Sequence, residues 1–256
     1  MTVVSTSPDV LYVSWQQPTT RQWFVIGQLS QSGGIFRFVY TRGASKAYNT
    51  GFRPLVSFPD FYQVYQQPTL FANFHNRLLP TSRPDYADFL SWLAVSSETA
   101  TDHPLVLLDR TNGTRQTDAV ELFRRPSIQA DGSLETCFFI RGLRYRSNEV
   151  QALIDKLSPG TQFLMALDIQ NPQDSEAVLL RTADDIVVPG YLPRHLVPLT
   201  SQLLRTYPAQ VKVVVEKINP APAPVQLRLL CRLQANDVPT DLPALRDTMY
   251  DELIRP

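Results

Sequence analysis

The placement of proline constrains this chain more than any other feature. The 256 residues hold 21 prolines against 10 glycines, and the prolines run the whole length, from Pro8 to Pro256. Proline has no backbone N–H to give, and its ring collides with the preceding helical turn, so it ends helices and is excluded from central strands. The chain is therefore expected to build many short elements joined by rigid turns. A hydrophobic fraction of 43% still supplies a real core. The formal net charge is zero, so no global field draws the chain to nucleic acid or membrane, and any such site must be local.

The first third reads as β. Leu11 to Trp15, Trp23 to Leu29 and Ile35 to Tyr40 are strand-rich runs, and Ser32-Gly33-Gly34 signals a turn between the last two. A proline- and aromatic-rich segment follows from Phe52 to Pro84. The clearest helix opens at Pro84-Asp85, with Tyr86, Phe89, Leu90 and Leu93 at helical spacing. Ser96 to Pro104 reads as a polar linker, Leu105 to Leu108 as a short apolar run, and Thr111 to Thr114 as a turn. Breaks at Arg125-Pro126-Ser127 and Ala130 to Ser133 divide the halves. Beyond them lie strand-like runs at 136–140, 162–168, 177–180, 211–217 and 225–233, and helical patches at 147–156 and 196–207. The expected fold class is mainly β with a few helices (α+β). It comprises two small domains, 1–130 and 131–256, the second an OB-like or Greek-key barrel.

Chemistry-bearing patterns are few. His75, His103 and His195 have no neighbours at metal-ligand spacing. No nucleophile elbow, phosphate loop or dinucleotide fingerprint occurs, so no catalytic residue, metal or cofactor is expected; an enzyme with a dispersed site assembled from distant residues stays open. Asp184-Asp185 sits between apolar runs and reads as a solvated hairpin tip. Cys137 and Cys231 lie in apolar runs and read as buried free thiols, with a disulfide as the weaker alternative. Met1 to Val10 lacks a signal-peptide pattern, and no apolar stretch is long enough to cross a bilayer, so a cytoplasmic location without a membrane partner is expected.

The more informative residues are in the second half. Gly142-Leu143-Arg144-Tyr145, Asn171-Pro172-Gln173-Asp174, Ala177 to Leu180 and Gly190-Tyr191-Leu192-Pro193-Arg194 follow one another in an order and spacing that resembles a HIRAN domain over about 136–234. The resemblance implies an OB-like barrel that grips the 3′ end of single-stranded DNA. Tyrosines there sandwich a terminal base, an acidic side chain holds the terminal hydroxyl, and basic groups hold phosphate. Carried onto this chain, the DNA-binding residues are Arg144, Tyr145, Asp174, Tyr191 and Arg194. Gln173 stands where the DNA-end binders have tyrosine, which removes one side of the sandwich. The region from Phe138 to Ala235 has eleven basic residues against eight acidic ones, enough for a modest local patch.

In the first half, Ile26 to Leu29, Phe36 to Tyr40, Phe52 to Leu55 and Leu70 to Pro80 resemble the small N-terminal subdomain of HipA-type toxin kinases over about 11–95. No kinase lobe follows. That resemblance implies an antitoxin-like or regulatory partner of a separate HipA-type kinase. The leading expectation is a non-enzymatic nucleic-acid-binding protein, taking single-stranded DNA or DNA 3′ ends, with a helicase, nuclease or kinase as possible protein partner.

Overall fold

The computed structural model describes residues 10–183 and 187–255, so the segment before Val10 and the Asp184-Asp185 tip lie outside the described residues. The chain forms two compact units. One runs to Arg124 and includes the residues from Asp247 onward; the other is Arg125–Arg246. The segment from Asp247, which the sequence reading groups with the second half, thus belongs with the first unit.

The first unit is built on a five-stranded antiparallel sheet ordered β4-β3-β2-β1-β5. Its strands are β1 (Val10–Gln16), β2 (Trp23–Ser32), β3 (Ile35–Tyr40), β4 (Tyr65–Gln67) and β5 (Val120–Phe123). Gly33 and Gly34 take φ of 55° and 78° between β2 and β3, the left-handed pair that a two-residue hairpin needs. Among the described residues five helices accompany the sheet: α1 (Arg42–Tyr48), α2 (Ala72–His75), α3 (Tyr86–Leu93), α4 (Ser97–Asp102) and α5 (Pro104–Thr111). The core is dense in aromatics. Phe38, Tyr40, Phe58, Phe71 and Phe74 are all buried, and the Phe38 and Phe58 rings stack with centroids 4.2 Å apart. Buried Tyr40 keeps its hydroxyl satisfied by donating to the Phe58 carbonyl at 2.8 Å and accepting from the Leu55 N–H at 2.7 Å.

The polar linker expected over 96–104 is instead helix α4. Ser96 caps it, its hydroxyl accepting the Thr99 N–H at 3.1 Å. Leu105 to Leu108 form the body of α5, with Pro104 in its first turn, where a missing N–H costs nothing. The chain then returns at the C-terminal end. Leu253 donates its N–H to the Tyr40 carbonyl at 2.8 Å, and Glu252 bridges Thr41.

The second unit is a six-stranded antiparallel sheet ordered β6-β11-β10-β7-β8-β9. Its strands are β6 (Leu134–Phe139), β7 (Gln162–Leu167), β8 (Val178–Arg181), β9 (Gly190–Tyr191), β10 (Val211–Ile218) and β11 (Leu229–Ala235), joined by helices α6 (Asn148–Ile154) and α7 (Val197–Thr206). Just past β6, Arg141 exchanges both backbone hydrogen bonds with Tyr191, each 2.9 Å. That pair joins the last strand of the sheet to the continuation of the first, which curls it into an OB-like barrel. The closure leaves no room at Gly190, where a Cβ would lie 2.2 Å from the Arg141 carbonyl oxygen. Phe138, Ile140, Phe163, Val178, Leu180, Leu196, Val213, Cys231 and Leu233 fill the interior. The strand expected from Val225 begins only at Leu229; Pro224 starts a 3-10 turn over Val225–Leu227 first. Neither cysteine forms a disulfide among the described residues, and Cys231 is buried and Cys137 half-buried. Cys231 pairs across the ladder with Phe138 and Cys137 with Arg232, so the two thiols lie on opposite faces of the sheet. Among the described residues no helix is long and apolar enough to cross a membrane, and no group of three metal-ligating side chains occurs.

Candidate nucleic-acid interface

Barrel closure brings the matched segments together. After Arg141 the chain must turn sharply, and Gly142 does so with φ of 83°, a conformation in which a side chain is strained. The Tyr191 ring packs against Gly142, 3.4 Å from where a Cβ would sit. The 3-10 turn Leu143–Tyr145 follows. It buries Leu143 and turns Arg144 and Tyr145 outward, with Tyr145 75% exposed. The Arg144 guanidinium lies over the Tyr145 ring, 4.6 Å from its centroid, and hydrogen-bonds its hydroxyl. One face of an exposed aromatic is thus covered by a cation.

A second cation and ring meet beside it. Arg146 sits over the Tyr191 ring at 5.2 Å. The Tyr191 hydroxyl donates to Asp168 Oδ2 at 3.0 Å, and the same oxygen accepts from Asn171 Nδ2 at 3.1 Å. Neither Arg146 nor Asp168 stands among the sequence-derived site residues. The available signal was the alternation Arg144-Tyr145-Arg146; nothing local marks Asp168, which reaches Tyr191 across 23 positions.

The Asn171-Pro172-Gln173-Asp174 segment forms the turn that its composition demands. Asn171 Oδ1 accepts the Gln173 and Asp174 N–H groups at 2.9 and 3.2 Å, and Asp174 Oδ1 accepts the Glu176 N–H at 3.0 Å. Asp174 is held from the far side by Arg194, whose other terminal nitrogen bonds Glu176. Arg194 therefore sits between two carboxylates. Of the five expected site residues, Tyr191 joins the Asn171–Asp174 turn through Asp168, Asp174 joins Arg194 directly, and Arg144 with Tyr145 projects beside Gly142. His195, next in the chain, is pushed down to about 3 from its usual 6.5 by burial and by the charge of Arg141, so it is neutral at pH 7 and adds no cation.

A groove of about 370 Å³ lies between the same turn and α7, lined by Leu167, Ile169, Glu176, Val197 and Arg205 among others.

Residues 133–236 match the family model of the HIRAN domain. No curated protein matches this chain. A crystal structure of a protein from Lactobacillus plantarum, solved by the Northeast Structural Genomics Consortium, is 19% identical, covers 41% of this chain and 97% of its own, and aligns with a TM-score of 0.31.

Proposed function

We propose that the second unit binds nucleic acid without reacting with it, and that its ligand is single-stranded DNA held at or near a 3′ end. The HIRAN-domain match over 133–236 supports DNA binding as a class. The observation that carries the reading is the pair of cation-backed tyrosines, Arg144 on Tyr145 and Arg146 on Tyr191. Aromatic faces for bases beside guanidiniums for phosphates are the general means of holding a single strand.

In this reading a base stacks on the face of Tyr145 that Arg144 leaves open. Arg144 and Arg146 hold phosphate. Asp174 accepts from a terminal 3′ hydroxyl with lone pairs that Arg194 and the Glu176 N–H leave over, a carboxylate having about four acceptor directions. Arg194 positions Asp174, and reaches a phosphate only by releasing exposed Glu176. With glutamine at 173 the base has one stacking partner fewer, so affinity falls in the micromolar range typical of weak binding.

Fluorescence anisotropy at low salt, with single strands ending in 3′ hydroxyl or 3′ phosphate and with a blunt duplex, tests this. Preference for the 3′-hydroxyl strand is expected. Equal and negligible binding to all three would remove the reading.

A further inference from the structure

The outward side of the barrel next to Tyr191 carries a surface that the interface above does not use. Strand residues alternate between the two faces of a sheet, and the register fixes which ones share the outer face. Arg141 pairs with Tyr191, Tyr191 with Leu179, and Leu179 with Ala166. The next row on the same face pairs Arg181 with Leu164. Burial agrees with this phase: Val178, Leu180 and Phe163 point inward, whereas Leu164 is 39% exposed and Ala166 is exposed. Arg181 forms no ion pair among the described residues; its guanidinium bonds only the neighbouring Thr182 carbonyl, at 3.3 Å. The row is thus apolar along Leu179 and Ala166, with the Arg141 guanidinium at one end and Arg181 beside it, two residues past Leu179 on β8, and it begins at the Tyr191 ring.

From these observations, and resting on the nucleic-acid reading, we infer that the row Tyr191–Leu179–Ala166, with Leu164 and Arg181 beyond it, is the track along which a bound single strand continues from the interface. Charge complementarity selects the occupant. A guanidinium at one end and another flanking the row, with apolar side chains between, suit a ligand whose charges are spaced along a backbone and whose bases need an uncharged surface. The three strand spacings from Arg141 to Ala166, about 4.8 Å each, make the row about 14 Å long. That accommodates a few nucleotides, at the low end of the roughly 4–16 that an OB fold takes, and Arg181 receives a phosphate beside the row.

The test is the dependence of affinity on length, measured on the full chain with oligothymidylates of two to eight nucleotides carrying a free 3′ hydroxyl. Affinity is expected to rise about tenfold between two and roughly five nucleotides and then to level off. Arg181→Glu should reduce that gain to less than about twofold and lower the salt slope for the longer strands, since one phosphate contact contributes about 0.7 to that slope. Leu164→Asp, on the same row but not a phosphate ligand, should also reduce the gain; far-UV circular dichroism confirms that both variants fold. A gain that persists unchanged in both folded variants overturns the track while leaving the interface reading in place. The same holds if wild-type affinity does not rise beyond two nucleotides. Failure of every length to bind removes the interface reading and the track with it.

Discussion

Arg194 donates from a single guanidinium nitrogen to both carboxylate oxygens of Asp174, at 2.8 and 2.9 Å, while its second terminal nitrogen holds Glu176. The contact ties the Asn171–Asp174 turn to the chain leaving β9. It also means that the acid and base expected to hold separate parts of a ligand are engaged with each other first. Arg194→Ala should lose about 1 kcal/mol of stability, the modest value reflecting side chains that are each a third exposed. Arg194→Lys should recover less than half of it, because a point charge cannot span two carboxylates as a planar fork does. Urea unfolding checks both; full recovery with lysine would show that charge alone matters there.

Gly190 and Arg141 set the barrel closure. A methyl group at 190 would sit 2.2 Å from the Arg141 carbonyl oxygen, so Gly190→Ala must separate the two chains or break their paired hydrogen bonds. The expected loss is about 3 kcal/mol or more, with the Tyr191 and Arg146 contact disordered as a consequence. Gly51→Ala is a useful control: unlike Gly190 it has positive φ, 106°, but it meets nothing within 4 Å, so it should cost only about 1 kcal/mol of backbone strain. Similar losses for the two would argue against closure as the cause.

His195 gives the barrel a pH signature. Its Nδ1 is shut off from solvent, and the folded protein holds it near 3 against about 6.5 when unfolded. The unfolded chain therefore binds the proton first as pH falls. Stability is complete above about 6.5 and declines as pH drops toward 3, at up to about 1.4 kcal/mol per unit. Burial raises the Asp109 carboxyl, which pushes the slope the opposite way, so the difference between wild type and a His195 variant, not the raw slope, reports the imidazole. His195→Gln should flatten unfolding free energy over that window; an unchanged slope would refute the assignment.

The C-terminal return is the least readable part of the fold. Arg37 grips Glu252 with two bonds of 2.6 and 2.7 Å across 215 residues, and the Arg37 charge and hydrogen bonds lower the Glu252 carboxyl below its usual value. A depressed carboxyl contributes stability above its unfolded value, about 4.5, and loses it as pH falls through the folded one. Glu252→Gln should cost about 1 kcal/mol at pH 7, and that cost should shrink as pH falls below about 4.5. Deleting residues from Asp247 onward should cost considerably more, since Tyr40 and Arg42 also lose backbone partners there. Thermal unfolding of the two variants separates the ion pair from the strand-like contact.

What the sequence disclosed follows the range of the physics. Alternation and turn chemistry are local, so the hairpin at Gly33-Gly34, the Asn171–Asp174 turn and most strands of the barrel could be read directly. Helix α4 could not, because six residues are too few to display a helical period and its Ser96 cap resembles loop composition. Nor could β9, two residues long, whose existence depends on Arg141 arriving beside it. The same holds within the interface. Gly142, Arg144, Tyr145 and Arg146 stand together in the chain, but the contacts that define their neighbourhood, Arg146 over the Tyr191 ring and Asp168 at its hydroxyl, are assembled only by closure.

Tyr145 and Arg146 allow the binding proposal to be separated from general charge attraction. Tyr145 is 75% exposed and contributes no core contact, so Tyr145→Ala should leave stability nearly unchanged. If a base stacks there, the substitution should weaken single-strand binding about tenfold, stacking being worth about 1–3 kcal/mol per base, and the salt slope should stay the same because no phosphate contact is lost. Arg146→Ala should do the reverse: a smaller loss at low salt together with a shallower slope, by about 0.7 for one phosphate on a single strand. Tyr145→Phe keeps the ring but loses the hydroxyl bonded to Arg144, and should retain most of the affinity. Anisotropy titrations between 25 and roughly 200 mM salt distinguish the two classes of contact. A phenylalanine variant as weak as the alanine one would show that Tyr145 acts by orienting Arg144, not by stacking.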